Sequence, residues 1–164
     1  MLPDPLHPAI VHLPIALALL VPALACLCLV LIYKGLMPSR TWALIVLLQA
    51  ILVGSGWLAL ETGEDQEERV ERIVAERHIG THEEAAERFL IFAGIGLLVC
   101  GAGLAPGRIG SWSRIAGTLA AFGVLAAGVS VGHSGGELVY EHGAASAYSD
   151  QGRASAAAHR FDED

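Results

Sequence analysis

Four stretches free of formal charge, residues 9–33, 42–60, 89–105 and 115–131, decide what this chain can fold into. A helix crossing the hydrocarbon core of a bilayer needs about 17–25 apolar residues. Within lipid, every backbone N–H and C=O must find its partner inside the segment, which a helix provides. The chain therefore reads as all-α, an integral membrane four-helix bundle. Composition agrees: 16% of residues are charged, against about 25% in an ordinary soluble domain. The net charge of −7 excludes nucleic acid as a partner, because a phosphate backbone needs a basic footprint. The lipid bilayer is the partner that remains. No Lys/Arg cluster follows a span, so anionic headgroups are not singled out. Cys26, Cys28 and Cys100 all lie inside apolar runs and read as small hydrophobes.

The first span reads as an uncleaved helix. Its first basic residue is Lys34, so it lacks the positive start of a signal peptide, and it exceeds the usual apolar length of one. Pro8 suits a first helical turn. Pro22 predicts a bend that neighbouring helices can absorb. Thr81 and Glu84 form a T-x-x-E capping box, which predicts a third span over about 82–105, its first two turns in the headgroup region. The fourth span is expected over about 114–132. Residues 64–79 read as a short extracytoplasmic amphipathic helix between spans two and three, with Val70, Val74 and His78 on one stripe and Ile73 beside it. Residues 1–143 form the four-span domain, and 144–164 a polar flexible tail.

The connection between spans one and two holds Lys34 and Arg40. That between spans three and four holds Arg108, with Arg114 at its edge. Neither contains an acid. Basic residues in short connections are retained on the cytoplasmic side. The expected placement is a bacterial inner membrane with both termini and the 61–88 segment extracytoplasmic.

Four spans also put every histidine on one side of the membrane: His7, His12, His78, His82, His133, His142 and His159. His12 heads a stripe with Ala16, Leu19, Ala23 and Cys26. His82 heads another with Ala86, Phe89 and Ala93. His133 lies above Val129, Ala126 and Phe122. These three stripes are expected to face the bundle interior, with His142 close by in a Gly-rich segment. Ionisable groups near the membrane interior tend to mark function. Glu61, ending span two on that side, is a candidate to orient a histidine or to ligate metal beside His12, His82 and His133. Arg88 is a candidate to pair with a cofactor carboxylate, or simply with Glu84. Gly117, Gly123, Gly128 and Gly132 suit close helix packing or space for a flat macrocycle.

Four motifs carry a resemblance: HPAIVHLPIALAL from His7, ETGED from Glu61, THEEAAE from Thr81 and GHSGGELVYEHG from Gly132. Over residues 7–143 the chain resembles the bacterial membrane domain family DUF2231. The resemblance implies four membrane helices with histidines near one face; His7, His12, His82 and His142 match its histidines. Relatives joined to Rieske or cytochrome c domains imply an electron-transfer setting. This chain carries no CxxCH motif, so covalent haem attachment is not expected.

Imidazoles at the ends of facing helices suit the axial ligation of a b-type haem. The leading expectation is a cytochrome b-like electron-transfer subunit, with His12, His82, His133, His142, His7 and Arg88 as candidate cofactor residues and a membrane or extracytoplasmic redox protein as partner. Zinc or copper on three imidazoles and Glu61 is one alternative. A structural subunit of a larger redox complex, with no cofactor of its own, is the other.

Overall fold

The computed structural model describes residues 6–149. Among them there are helices and no strands. Helix α1 (His7–Ile10) runs almost directly into α2 (His12–Tyr33). The break has a simple cause: Pro14 has no N–H to give the Ile10 carbonyl. Pro8 stands in the first turn of α1, as expected. A 3-10 turn at Ser39–Trp42 leads into α3 (Ala43–Glu71); α4 (Glu76–Ala102) and α5 (Gly107–Tyr140) follow. Each of the four long segments is long and apolar enough to cross a bilayer. The chain is a multi-pass membrane protein.

The helices pack in a ring, α2 against α3, α3 against α4, α4 against α5, and α5 back against α2. Small residues hold the centre: Ala18, Ala25, Ala93 and Ala121 are buried beside Val21, Leu52, Phe89 and Val124. Large apolar side chains such as Leu19, Leu27, Leu47, Ile91, Leu98 and Leu119 point outward. This is the inversion expected in lipid, where closeness of approach rather than water exclusion decides which residues meet. A Cβ on Gly117 would come within 2.9 Å of the Cys100 sulfur, and one on Gly128 within 3.4 Å of the Phe89 ring. Gly123 and Gly132 have nothing within 4 Å of such a Cβ. Only the first two serve helix packing.

One end of the bundle is tied by buried polar groups. Trp42 Nε1 donates to the Cys100 carbonyl at 2.9 Å. Arg114 donates to the Gly103 carbonyl at 2.6 Å and to Ser111 Oγ at 3.2 Å. Its cation thus meets the carbonyl end of α4, the favoured place for positive charge on a helix.

The opposite end, here called the head, departs from the sequence reading in three ways. The short helix expected over 64–79 does not exist as a separate element. Helix α3 continues unbroken through Glu71, and the chain turns over residues 72–75. Nothing between Leu60 and Glu71 stops a helix, and the Glu68–Arg72 pair at 3.1 Å supports its last turn. The expected apolar stripe is nonetheless used: Val70, Ile73, Val74 and Ile79 pack together with Leu138 and Ala144. Second, α4 begins at Glu76, so the capping box lies inside the helix. Thr81 Oγ1 donates back to the Arg77 carbonyl at 2.8 Å, and Glu84 pairs with Arg88. Third, the described residues just beyond Gly143 are packed. Gly143 adopts φ +73°, a conformation glycine reaches without strain, and a 3-10 turn at Ala144–Tyr148 folds back with Ala144 and Ala147 buried. The remainder of the expected polar tail, with His159, lies outside the described residues.

Candidate functional site

The head gathers the N-terminal end of α1, the C-terminal part of α3, the first turns of α4 and the last turns of α5. His7 and His82 meet there. Their ring centroids are 6.4 Å apart and the ring planes stand at 88°.

Each ring is anchored through Nδ1. His7 Nδ1 lies 2.7 Å from the Ala59 carbonyl of α3. A carbonyl only accepts, so Nδ1 carries the proton. His82 Nδ1 lies 2.9 Å from Ser134 Oγ. The Ser134 hydroxyl gives its single proton to the Val131 carbonyl at 3.1 Å, so its oxygen accepts from His82. In their neutral forms both imidazoles are thereby set in the Nδ1–H tautomer, with the Nε2 lone pair uncommitted. Among the described residues, Nε2 of neither ring makes a hydrogen bond.

Two glycines make room for these rings. A Cβ on Gly135 would stand 3.0 Å from Cε1 of His82, and one on Gly63 would stand 3.3 Å from Cε1 and Nδ1 of His7. The backbone of α5 and of α3 thus lies flat against the imidazoles. His7, Gly63, His82, Ser134 and Gly135 come from the four motifs of the sequence, one from each of the first three and two from the last.

A second histidine pair stands beside the first. His78 and His142 are stacked with centroids 3.7 Å apart and planes at 26°. Arg77 Nε donates to His78 Nε2 at 3.1 Å. This pair spends its ring nitrogen on Arg77 and joins α4 to the segment after α5.

The other candidates do not join either pair. His12 is exposed, and so are Ala16, Leu19 and Ala23 below it. The buried face of α2 is instead Pro14, Leu17, Ala18, Val21 and Ala25. His133 also faces outward, above exposed Val129, Ala126 and Phe122, and lies 3.3 Å from Glu137 on its own helix. Of the three stripes expected inside, only that of His82 is there: Phe89 and Ala93 below it are buried. Glu61 is exposed, and the groups that meet Nδ1 of His7 and His82 are instead the Ala59 carbonyl and Ser134. Arg88 pairs with Glu84 at 2.8 Å. Ser134, Ala59 and Gly63 had not been singled out. The Ser-Gly-Gly run at the end of an apolar helix is a local signal for Ser134, and ETGED contains Gly63.

Among the described residues, no group of three or more His, Cys, Asp or Glu side chains is placed to hold a metal ion. No family model, curated protein or solved structure matches the chain.

Proposed function

We propose that the chain is a membrane-embedded electron-transfer subunit that holds a b-type haem at its head through His7 and His82. The observation that carries this reading is the anchoring of two imidazoles, each bound through Nδ1 and with no hydrogen bond at Nε2, at a centroid distance of 6.4 Å. An imidazole nitrogen reaches a first-row metal at about 2.0–2.1 Å, so two rings at this separation could both reach one ion. Metal-bound histidines characteristically give their other N–H to a carbonyl or similar acceptor, which fixes the tautomer.

The donor set favours haem over zinc. A structural zinc takes four protein ligands and a catalytic zinc three. A haem brings four nitrogens of its own and asks the protein for one or two. Bound there, the iron would supply one-electron chemistry. His7 and His82 would hold it, and the chain would supply two oriented imidazole nitrogens and partial burial, which tune the potential. Copper on the same two imidazoles is the second reading, since imidazole also suits that metal. The similarity to DUF2231 enters through the four motifs, which deliver the residues of this pair. The charge pattern of the short connections favours an extracytoplasmic head in a bacterial inner membrane, with electrons exchanged with a membrane or extracytoplasmic redox protein.

The test is an optical spectrum of the protein purified in detergent, before and after addition of haemin. A Soret band that shifts on reduction, present in the wild type and absent in H7A and H82A, is the expected result. A colourless wild type after haemin addition overturns haem. Bound copper in that preparation would favour the second reading, and no bound metal a structural subunit.

A further inference from the structure

The geometry points to a proton-operated latch at the head: the stacked His78–His142 pair clasps the strap of residues 141–149 across the α3–α4 turn, and acid releases it. This inference is independent of the haem reading, because it concerns the second histidine pair and the strap alone.

Three contacts among the described residues hold the strap. Ala144 packs on Val74 and Ile79, at the turn and the start of α4. Tyr148 donates to Gln66 Oε1 of α3 at 2.7 Å, and the Arg69 guanidinium lies over the Tyr148 ring at 5.3 Å. The third point is the His78–His142 stack at 3.7 Å. Among these described contacts, the stack is the one built from groups that titrate near neutral pH.

The stack tolerates no proton on His78 without loss. His78 Nε2 accepts from Arg77 Nε at 3.1 Å. A proton on that nitrogen removes the acceptor and sets an imidazolium against a guanidinium. A proton on both rings sets two cations face to face. The charged and titratable groups around His78 are Arg77 on its own helix, His142 on the strap and Glu137 on α5. Helix α3 brings Arg69, which lies over Tyr148, and Arg72, which is tied to Glu68.

The direction of titration agrees. His78 is pushed below its ordinary value of 6.5 by desolvation first, then by His142 and Arg77, with Glu137 opposing. A base whose affinity for protons is lower in the closed state binds more of them when open. The latch is therefore fully closed above pH 6.5, weakens as the pH falls through that value, and has lost its contribution once the pH passes the lowered value of the closed state.

Amide hydrogen exchange of residues 141–149 in the purified full-length protein tests this, corrected for intrinsic exchange, at pH 8 and pH 5. In the wild type, protection of these amides should fall at the lower pH, while that of Ala93 and Val124 in the bundle stays unchanged. R77Q removes a cation that disfavours the proton and should shrink the fall. E137Q removes the opposing carboxylate and should enlarge it. A wild-type strap equally protected at both values overturns the latch. So does a fall that moves in the same direction in R77Q and E137Q, because a strap loosened merely by substitution has no reason to distinguish them.

Discussion

The two histidine pairs of the head differ in almost everything but residue type. His78 and His82 stand one turn apart on α4, so both pairs hang on the same helix. In one pair the ring planes stand at 88° with centroids 6.4 Å apart, each Nδ1 is bound by a protein acceptor, and each Nε2 is left over. In the other the rings lie flat on each other and Nε2 of His78 is consumed by Arg77. A histidine is a candidate ligand when its second nitrogen is oriented and its first is spare. It is a joint when its face and its nitrogen are both used within the chain. Position near a membrane surface does not distinguish the two; the hydrogen bond on the far side of the ring does.

The largest expected effect breaks the comparison outright. Alanine at His7 or His82 should abolish haem retention, read by absorbance of the purified protein. Alanine at His78, His142, His12 or His133 should leave it. Loss in the second group with retention in the first would reverse the assignment of the pairs. A smaller effect comes from Ser134. Ser134→Ala leaves His82 in place and removes the acceptor of its Nδ1–H. Groups in this position typically contribute about 10- to 100-fold to metal affinity, and haem titration of S134A should show a loss of that size. Smaller again is Gly135→Ala. The added Cβ meets Cε1 of His82 at 3.0 Å, so the ring must yield by a few tenths of an ångström. Misplacement of that order should weaken haem binding less than S134A does, with no effect on the exchange of the strap.

Much of this was legible in the sequence, and the rest failed for one physical reason. Four apolar runs and the gathering of histidines at one end follow from span count alone. Which face of each helix points inward does not. A membrane helix is apolar all round, so the 3.6-residue period that marks the buried face of a soluble helix is absent. His12 with Ala16 and Ala23 looked as suitable for the interior as Pro14 with Leu17, Ala18, Val21 and Ala25, and the second face is the buried one. Helix α4 was read correctly because its stripe combines Phe89 with Ala93, small enough to let α3 and α5 approach. Gln49, buried and donating to the Ala93 carbonyl at 3.1 Å, marks the inner face of α3 in the same way. The site itself was half visible. Its imidazoles were named, but the groups that orient them are a backbone carbonyl and a serine, which carry no spacing signature. The glycines Gly63 and Gly135 lie in motifs already noted, yet their purpose is a contact between helices distant in sequence.

The smallest effect tests whether the two pairs share one rigid helix. Thr81 lies between His78 and His82. If it capped the start of α4, as the T-x-x-E pattern suggests, His78 would stand outside the helix and the pairs would be joined by a flexible turn. In the structure α4 starts at Glu76, and the Thr81 hydroxyl only bonds back to Arg77. Such a bond adds little to a helix, and threonine is a poorer helix former than alanine. The two placements differ in consequence: removing a genuine N-cap costs roughly 0.5–2 kcal/mol, whereas an exposed mid-helix Thr→Ala change should stay within about 0.5 kcal/mol. Thermal unfolding of Thr81→Ala in detergent should therefore show no destabilisation, and exchange at His78 and Ile79 should match the wild type. A loss of stability of about 1 kcal/mol, with the amides of residues 78–80 unprotected, would move the start of α4 past His78. The two pairs would then no longer be turns of a single helix, and the latch would lose the fixed register on which its stack depends.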